Sequence, residues 1–127
     1  GDTVCTDDVP YQDFRRMVRA PEWQQRFLAR PLTERRAEVE TLRRRSTEAM
    51  QAKTAEIMDA NPVAVRQALI SHGCRRLIHG HTHRPGHERI DLPSGHGERY
   101  VLSDWDTGRG DALEIGPAGL RRLDLSA

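Results

Sequence analysis

Three histidines, His79, His81 and His83, stand close together directly after a short apolar run. In an extended backbone, residues two positions apart point to the same side, about 6.5 Å from each other. His81 and His83 are therefore predicted to face one site. Gly80 has no β-carbon and lets the backbone approach a bound group closely. Because neutral imidazole is a common ligand of transition metals, the spacing predicts that His81 and His83 bind a metal ion.

A second group of polar residues falls on the apolar stripe of a predicted long helix. The stripe comprises Val39, Leu42, Ser46, Ala49, Met50, Lys53 and Ile57. Ser46 and Lys53 interrupt it two helical turns apart, about 10.5 Å at the standard rise. Lys53 is also the single lysine among twenty basic side chains. Buried polar groups need partners, so this pair either binds a ligand or is satisfied locally, with Ser46 bonded to its own helix and Lys53 reaching water.

Helix signals dominate up to about residue 74, and strand signals follow. Cap residues before prolines mark helix starts, a glycine marks a helix end, and short runs bounded by Gly, Pro and Asp are typical of strands. The predicted helices start near Asp8, Pro21, Thr33 and Asn61. Thr33 is expected to cap the third helix, which runs to about Ala60, and Gly73 is expected to close the fourth. The predicted strands cover 75–79, 87–92, 98–103, 111–115 and 120–125.

Most of the few aromatic residues lie in the first two predicted helices. They are Tyr11, Phe14, Trp23 and Phe27. These side chains either pack the two helices onto the rest of the protein or line a pocket for an apolar ligand.

Length and charge exclude several classes of protein. The 127 residues suffice for one domain. The formal net charge of +1 lacks the basic excess that is typical of nucleic-acid-binding domains, so we expect no nucleic-acid partner. No apolar run approaches the roughly 20 residues of a membrane span. Arginine clusters at 15–19 and 43–45 are either solvated helix faces or a surface for anionic lipid.

Two motifs together resemble a known family. The run His79–Pro85 resembles the last metal-binding motif of the calcineurin-like metallophosphoesterases, a strand followed by Gly-His-Thr-His. The opening run Gly1–Asp8 resembles the segment Gly-Asp-x-x-Cys-Thr-Asp-Asp of the UDP-2,3-diacylglucosamine hydrolases within that family. Similarity continues through 23–28, 57–62 and 102–105, and thus covers essentially the whole chain. The other metal-binding motifs of the family are expected upstream of Gly1, so we expect the chain to be a C-terminal fragment.

The resemblance implies an α/β fold, namely the C-terminal half of a metallophosphoesterase α/β/β/α sandwich with an inserted helical cap. Residues 1–127 are then a partial phosphoesterase domain, with the cap at about 9–60 and a β-rich part at about 74–127. Because most metal ligands of the family are expected outside the fragment, we expect the fragment alone to be inactive.

The same resemblance implies residue roles and a pair of metal ions, with Mn²⁺ as the expected cofactor. His81 and His83 become metal ligands, and His81 is also the catalytic residue that approaches the phosphate. Asp8, Ser46, Lys53 and His81 are assigned to substrate binding.

The implied reaction is hydrolysis of the pyrophosphate bond of UDP-2,3-diacylglucosamine to UMP and 2,3-diacylglucosamine 1-phosphate (lipid X), a step of lipid A biosynthesis, by a metal-activated water. The implied partners are this glycolipid and an anionic membrane surface. The expected location is peripheral, on the cytoplasmic face of the bacterial inner membrane. Two alternatives stay open: another calcineurin-like phosphoesterase that acts on a nucleotide or phosphate ester, and a non-enzymatic remnant.

Overall fold

The computed structural model describes residues 1–51, 53–54 and 57–126. Helices make up 40% and strands 26% of the residues that the structure describes, so the predicted α/β class is confirmed. The helices are α1 (Val9–Arg19), α2 (Pro21–Leu28), α3 (Leu32–Gln51) and α4 (Pro62–Ser71). The strands are β1 (Arg76–His79), β2 (Gly86–Leu92), β3 (Gly95–Val101), β4 (Asp111–Gly116) and β5 (Gly119–Asp124).

The chain divides into two compact units. The helical unit is Thr6–Asp59, and the sheet unit combines Gly1–Cys5 with Ala60–Ala127. In the sheet unit, β3 lies in the middle of a three-stranded sheet, parallel to β1 and antiparallel to β2. Strands β4 and β5 form a separate antiparallel ribbon. The predicted strands are thus found within a few residues of their expected bounds.

The core of the sheet unit is formed between α4 and the sheet. Its buried apolar residues are Val4, Ala60, Val65, Leu69 and Ile90. Asn61 fixes the start of α4, because its side-chain oxygen accepts hydrogen bonds from the backbone N–H groups of Val63 and Ala64 at 2.9 and 3.0 Å. Gly73 ends the helix in a left-handed conformation at φ +59°. Both predicted signals are confirmed.

The helical unit has a different interior. Among the described residues, α1, α2 and α3 contain no buried residue. Trp23 and Phe27 stack on each other with ring centroids 4.9 Å apart. No helix in the described part of the chain combines the length and the apolar character that a membrane crossing requires.

The third helix is shorter than predicted. It ends at Gln51, and Lys53 lies in a bend after it, so the expectation of a helix to about Ala60 was wrong. Thr33 lies inside the helix and is not its cap. The backbone N–H of Lys53 bonds to the carbonyl of Met50 at 3.3 Å, which closes the last turn. Ser46 and Lys53 therefore do not share a helical stripe.

Candidate functional site

The loop after β1 carries the predicted metal ligands. The backbone N–H of Leu102 donates to the carbonyl of His79 at 2.8 Å, and the chain leaves the sheet after this bond. His81 and His83 both have left-handed backbone conformations, at φ +82° and +53°. The expectation that they project from an extended strand was therefore wrong, because the two residues lie in a turn. Their metal-binding role stays a prediction.

Both imidazoles of the loop are exposed to solvent. Nδ1 of His83 lies 3.6 Å from a carboxylate oxygen of Asp104, which also forms an ion pair with Arg109. Between the two histidines, the hydroxyl of Thr82 is buried and has no hydrogen-bond partner among the described residues. Buried hydroxyls usually have a partner. The loop thus presents two accessible nitrogen donors beside an unused polar atom.

Gly1 packs against the start of this loop. A β-carbon at Gly1 would overlap the carbonyl oxygen of Gly80 and lie 2.7 Å from Nδ1 of His79. It would also lie 3.1 Å from the β-carbon of His81. Only glycine fits here. The first residues of the chain and the loop Gly80–Pro85, called the histidine loop below, therefore form one local structure within the sheet unit.

Beneath the loop lies a buried polar network that the sequence analysis missed. Nε of Arg99 donates to Nε2 of His79 at 2.9 Å, and Nη1 of Arg99 donates to Glu88 at 3.0 Å. Nδ1 of His79 lies 2.8 Å from the carbonyl oxygen of Gly80. Arg99 and His79 are only 8% and 6% exposed. An available signal was the alternation in β3, which puts Arg99 on the same buried face as Val101.

In the helical unit, the structure brings two of the predicted substrate-binding residues together. The ammonium of Lys53 donates to both carboxylate oxygens of Asp8, at 2.7 and 2.6 Å. Asp8 also caps α1, because it accepts a hydrogen bond from the backbone N–H of Tyr11 at 3.1 Å. Ser46 lies exposed on α3. The Asp8–Lys53 pair is thus a mostly buried, well-oriented charged group.

A separate polar cluster lies on the surface of the three-stranded sheet. Nε of Arg76 donates to Glu98 at 2.9 Å, and this hydrogen bond is the main reason why the pKa of the Glu98 carboxyl is lowered. Burial and the nearby Glu98 charge raise the pKa of the Tyr100 hydroxyl. We assign no catalytic role to this cluster.

The side chains that are available as metal ligands determine whether these residues can form a metal centre. Among the residues that the structure describes, no group of three or more His, Cys, Asp or Glu side chains could hold a metal ion. His81 and His83 nevertheless have the donor chemistry and the accessibility of ligands. The described residues thus fit one part of a metal centre and do not complete it.

No protein-family model matches the chain. Curated proteins match it closely. It is 46% identical, over 98% of its length, to the UDP-2,3-diacylglucosamine hydrolase of Chromobacterium violaceum. It is 48% identical over 98% of its length to that of Bordetella pertussis, and 51% identical over 83% to that of Aromatoleum aromaticum. The chain is thus homologous to UDP-2,3-diacylglucosamine hydrolases over most of its length.

The chain spans about half the length of the curated relatives it matches. The alignments cover 52% of the Chromobacterium, 50% of the Bordetella and 43% of the Aromatoleum UDP-2,3-diacylglucosamine hydrolase. This coverage fits the predicted C-terminal fragment. The printed names of these relatives describe hydrolases.

Proposed function

We propose that this chain is part of an enzyme that hydrolyses the pyrophosphate bond of UDP-2,3-diacylglucosamine to UMP and 2,3-diacylglucosamine 1-phosphate. The proposal rests on the 46% sequence identity, over 98% of the chain, to the UDP-2,3-diacylglucosamine hydrolase of Chromobacterium violaceum. Below, the full-length protein means a protein of the relatives' length that contains this chain.

In the full-length protein, His81 and His83 are proposed to hold part of a centre for a pair of Mn²⁺ ions. When bound, the ions supply Lewis-acid chemistry, which neutralises pyrophosphate charge and lowers the pKa of a water nucleophile. The chain's own contribution is to present two imidazoles from one loop. We further propose that His81 lies close enough to the phosphate to stabilise its negative charge.

The Asp8–Lys53 pair is proposed to bind the polar head group of the glycolipid. Two hydrogen bonds from Lys53 engage the Asp8 carboxylate, and the side chain of Lys53 is 19% exposed. Asp8 therefore holds the ammonium in a fixed place, and we propose that a phosphate or a sugar hydroxyl of the head group meets it there. Ser46 is proposed as an additional hydroxyl contact from α3.

The acyl chains and the membrane are proposed to meet the apolar side chains of the helical unit. Phe14, Met17 and Met50 are between 38% and 56% exposed. The basic residues Arg16 and Arg19 occupy the last turn of α1. Exposed apolar groups next to arginines suit an interfacial segment that binds anionic lipid. We therefore propose peripheral binding to the cytoplasmic face of the bacterial inner membrane.

The assay that tests the reaction measures UMP release from UDP-2,3-diacylglucosamine by the full-length protein with Mn²⁺. We expect turnover by the wild type and loss of more than 99% of it in His81→Ala. His72→Ala is the matched control, because His72 is an exposed histidine that follows α4. Near-normal turnover by His81→Ala would refute the role of the histidine loop.

Substrate comparison separates the proposal from its main alternative. The full-length protein should hydrolyse the diacylated substrate much faster than UDP-N-acetylglucosamine. Equal rates on both would favour a phosphoesterase that does not recognise acyl chains. The 127-residue chain alone should release no UMP, since the described residues complete no metal centre. Membrane binding is tested by co-sedimentation with lipid vesicles. The full-length protein should co-sediment with phosphatidylglycerol vesicles and not with phosphatidylcholine vesicles. Equal co-sedimentation with both would count against anionic-lipid binding.

A further inference from the structure

Arg99 is a charged residue buried in the middle of the sheet. It belongs to the central strand β3, where its backbone pairs with Leu77 of β1 and Glu88 of β2. Its guanidinium spans from His79 to Glu88. Burying a charge is costly unless hydrogen bonds and a counter-charge compensate for it. Arg99 has both, and its contacts lead directly to the histidine loop.

The chemistry of the guanidinium fixes the orientation of the protons on His79. A guanidinium N–H can only donate, so Nε2 of His79 must accept from Arg99. A neutral ring then carries its proton on Nδ1, and this N–H donates to the carbonyl oxygen of Gly80, 2.8 Å away. The hydrogen bond from Arg99 thus determines the second bond, from His79 to the Gly80 peptide.

The orientation of the Gly80 peptide determines the backbone path at the start of the histidine loop. Its carbonyl belongs to the peptide bond that joins Gly80 to His81, and His81 has φ +82°. Residues with a β-carbon rarely adopt this conformation, because it is strained and persists only where the surroundings hold it. The ring of His79 and the close contact of Gly1 hold this peptide from two sides.

We propose that Arg99 is a positioning residue of the histidine loop. It acts through His79 on the Gly80 peptide, and so keeps His81 and His83 in the left-handed conformations in which both residues are exposed to solvent. Glu88 fixes the far end of the guanidinium on the neighbouring strand. The proposal rests on the proposed function for what the loop binds, while the chain of hydrogen bonds itself does not depend on that function.

The first test reads the tautomer of His79 in the metal-free full-length protein by long-range ¹H–¹⁵N NMR of labelled histidine. We expect the Nδ1–H form in the wild type. In Arg99→Met, which removes the donor, we expect a mixture of the two tautomers and shifted signals of His81 and His83. Arg76→Met is the matched control, because it removes an exposed arginine of the adjacent strand that pairs with Glu98. Unchanged signals of all three histidines in Arg99→Met would overturn the proposal.

The second test measures the affinity for Mn²⁺ by calorimetry and the kinetic constants for UMP release. Loss of a group that orients a metal ligand typically weakens metal binding about 10–100-fold. We expect such a loss in Arg99→Met, with kcat largely restored at saturating Mn²⁺ and KM for the substrate unchanged. A Mn²⁺ affinity within twofold of the wild type would overturn the proposal, and so would a kcat that stays low at saturating metal.

Arg99→Lys provides a variant in case Arg99→Met does not fold. Lysine keeps the charge and can donate to His79, but it lacks the planar fork that reaches two partners. We expect a smaller loss of Mn²⁺ affinity than in Arg99→Met and a largely retained Nδ1–H form. If the wild type releases no UMP, the proposed function fails, and the NMR comparison of the wild type with Arg99→Met still decides the positioning role.

Discussion

The two units of the chain are built on different principles. The sheet unit has an apolar core between α4 and the sheet, with Val65 fully buried and Leu69 2% exposed. In the described part of the helical unit, the buried residue is Asp8, which is charged and paired with Lys53. Large apolar side chains of that unit, such as Leu28 at 63%, stay exposed. One unit is held by burial of apolar surface, whereas the buried group of the other is a carboxylate that both caps α1 and pairs with Lys53.

This difference matches the different tasks that we propose. Ligands to a metal need fixed geometry, and a close-packed sheet supplies it. A surface for acyl chains needs exposed apolar groups, and a unit that buries them all could not offer it. The Asp8–Lys53 pair belongs to the second task, since it orders the helical unit without occupying the apolar surface.

The largest expected effect contrasts two leucines. Leu69→Ala leaves a cavity in the core of the sheet unit and should lower the free energy of unfolding by about 2–5 kcal/mol. Leu28→Ala removes a mostly exposed side chain from α2 and should change it by less than about 0.5 kcal/mol. Denaturant unfolding of the full-length protein measures both. Similar losses in the two variants would show that the helical unit has a core of its own.

The next contrast concerns the charged pair of the helical unit. Asp8→Asn removes the negative charge that holds Lys53, and should raise KM for the diacylated substrate roughly tenfold while kcat changes little, since ground-state and transition-state binding are both lost. Asp13→Asn is the control, because Asp13 pairs with Arg16 on the exposed side of α1. A change in kcat with an unaltered KM would place Asp8 in the chemistry rather than in head-group binding.

Local signals predicted much of this fold, and long-range contacts explain what they missed. Asn61-Pro62 and Gly73 fix the ends of α4 through bonds to near neighbours, which a sequence displays directly. The end of α3 could not be predicted in this way, because Lys53 bonds to a carboxylate 45 residues earlier in the chain. The bond between Arg99 and His79 likewise depends on the parallel pairing of β1 and β3, which no local pattern reveals.

The candidate site shows the same limit. The types and spacing of His81 and His83 predicted donors on one loop, while their left-handed backbone follows from the contacts of the Gly80 peptide with His79 and Gly1. Asp8 and Lys53 were both assigned to substrate binding from resemblance. Their direct pairing was not predicted, because the third helix was expected to continue through Lys53. In the structure the helix ends at Gln51, and Lys53 lies in a bend where it pairs with Asp8.

A smaller effect separates the helix starts of the two units. Asn61→Ala removes two hydrogen bonds at the start of α4 and should lower the free energy of unfolding by about 1 kcal/mol. Thr33→Ala should have no comparable effect, because Thr33 lies within α3. Thermal unfolding of both variants checks this, and an equal loss in Thr33→Ala would restore Thr33 as a cap.

The smallest expected effect concerns the exposed Arg76–Glu98 pair on the surface of the sheet unit, in contrast to the buried interior of that unit. The hydrogen bond from Arg76 lowers the pKa of Glu98, so the folded state favours the ionised carboxylate. The resulting stability is present above the unfolded pKa and is lost as the pH falls through the folded pKa, which lies below the ordinary value of a glutamate. In Arg76→Met, the pKa of Glu98 should rise toward its ordinary value, as followed by ¹³C NMR of the carboxyl. Arg121→Met, which breaks the exposed pair with Glu114 on the β4–β5 ribbon, should leave it unchanged. A Glu98 titration that is indifferent to Arg76 would mean that the exposed pair is not formed in solution, in contrast to the buried network of Arg99 on the same strand.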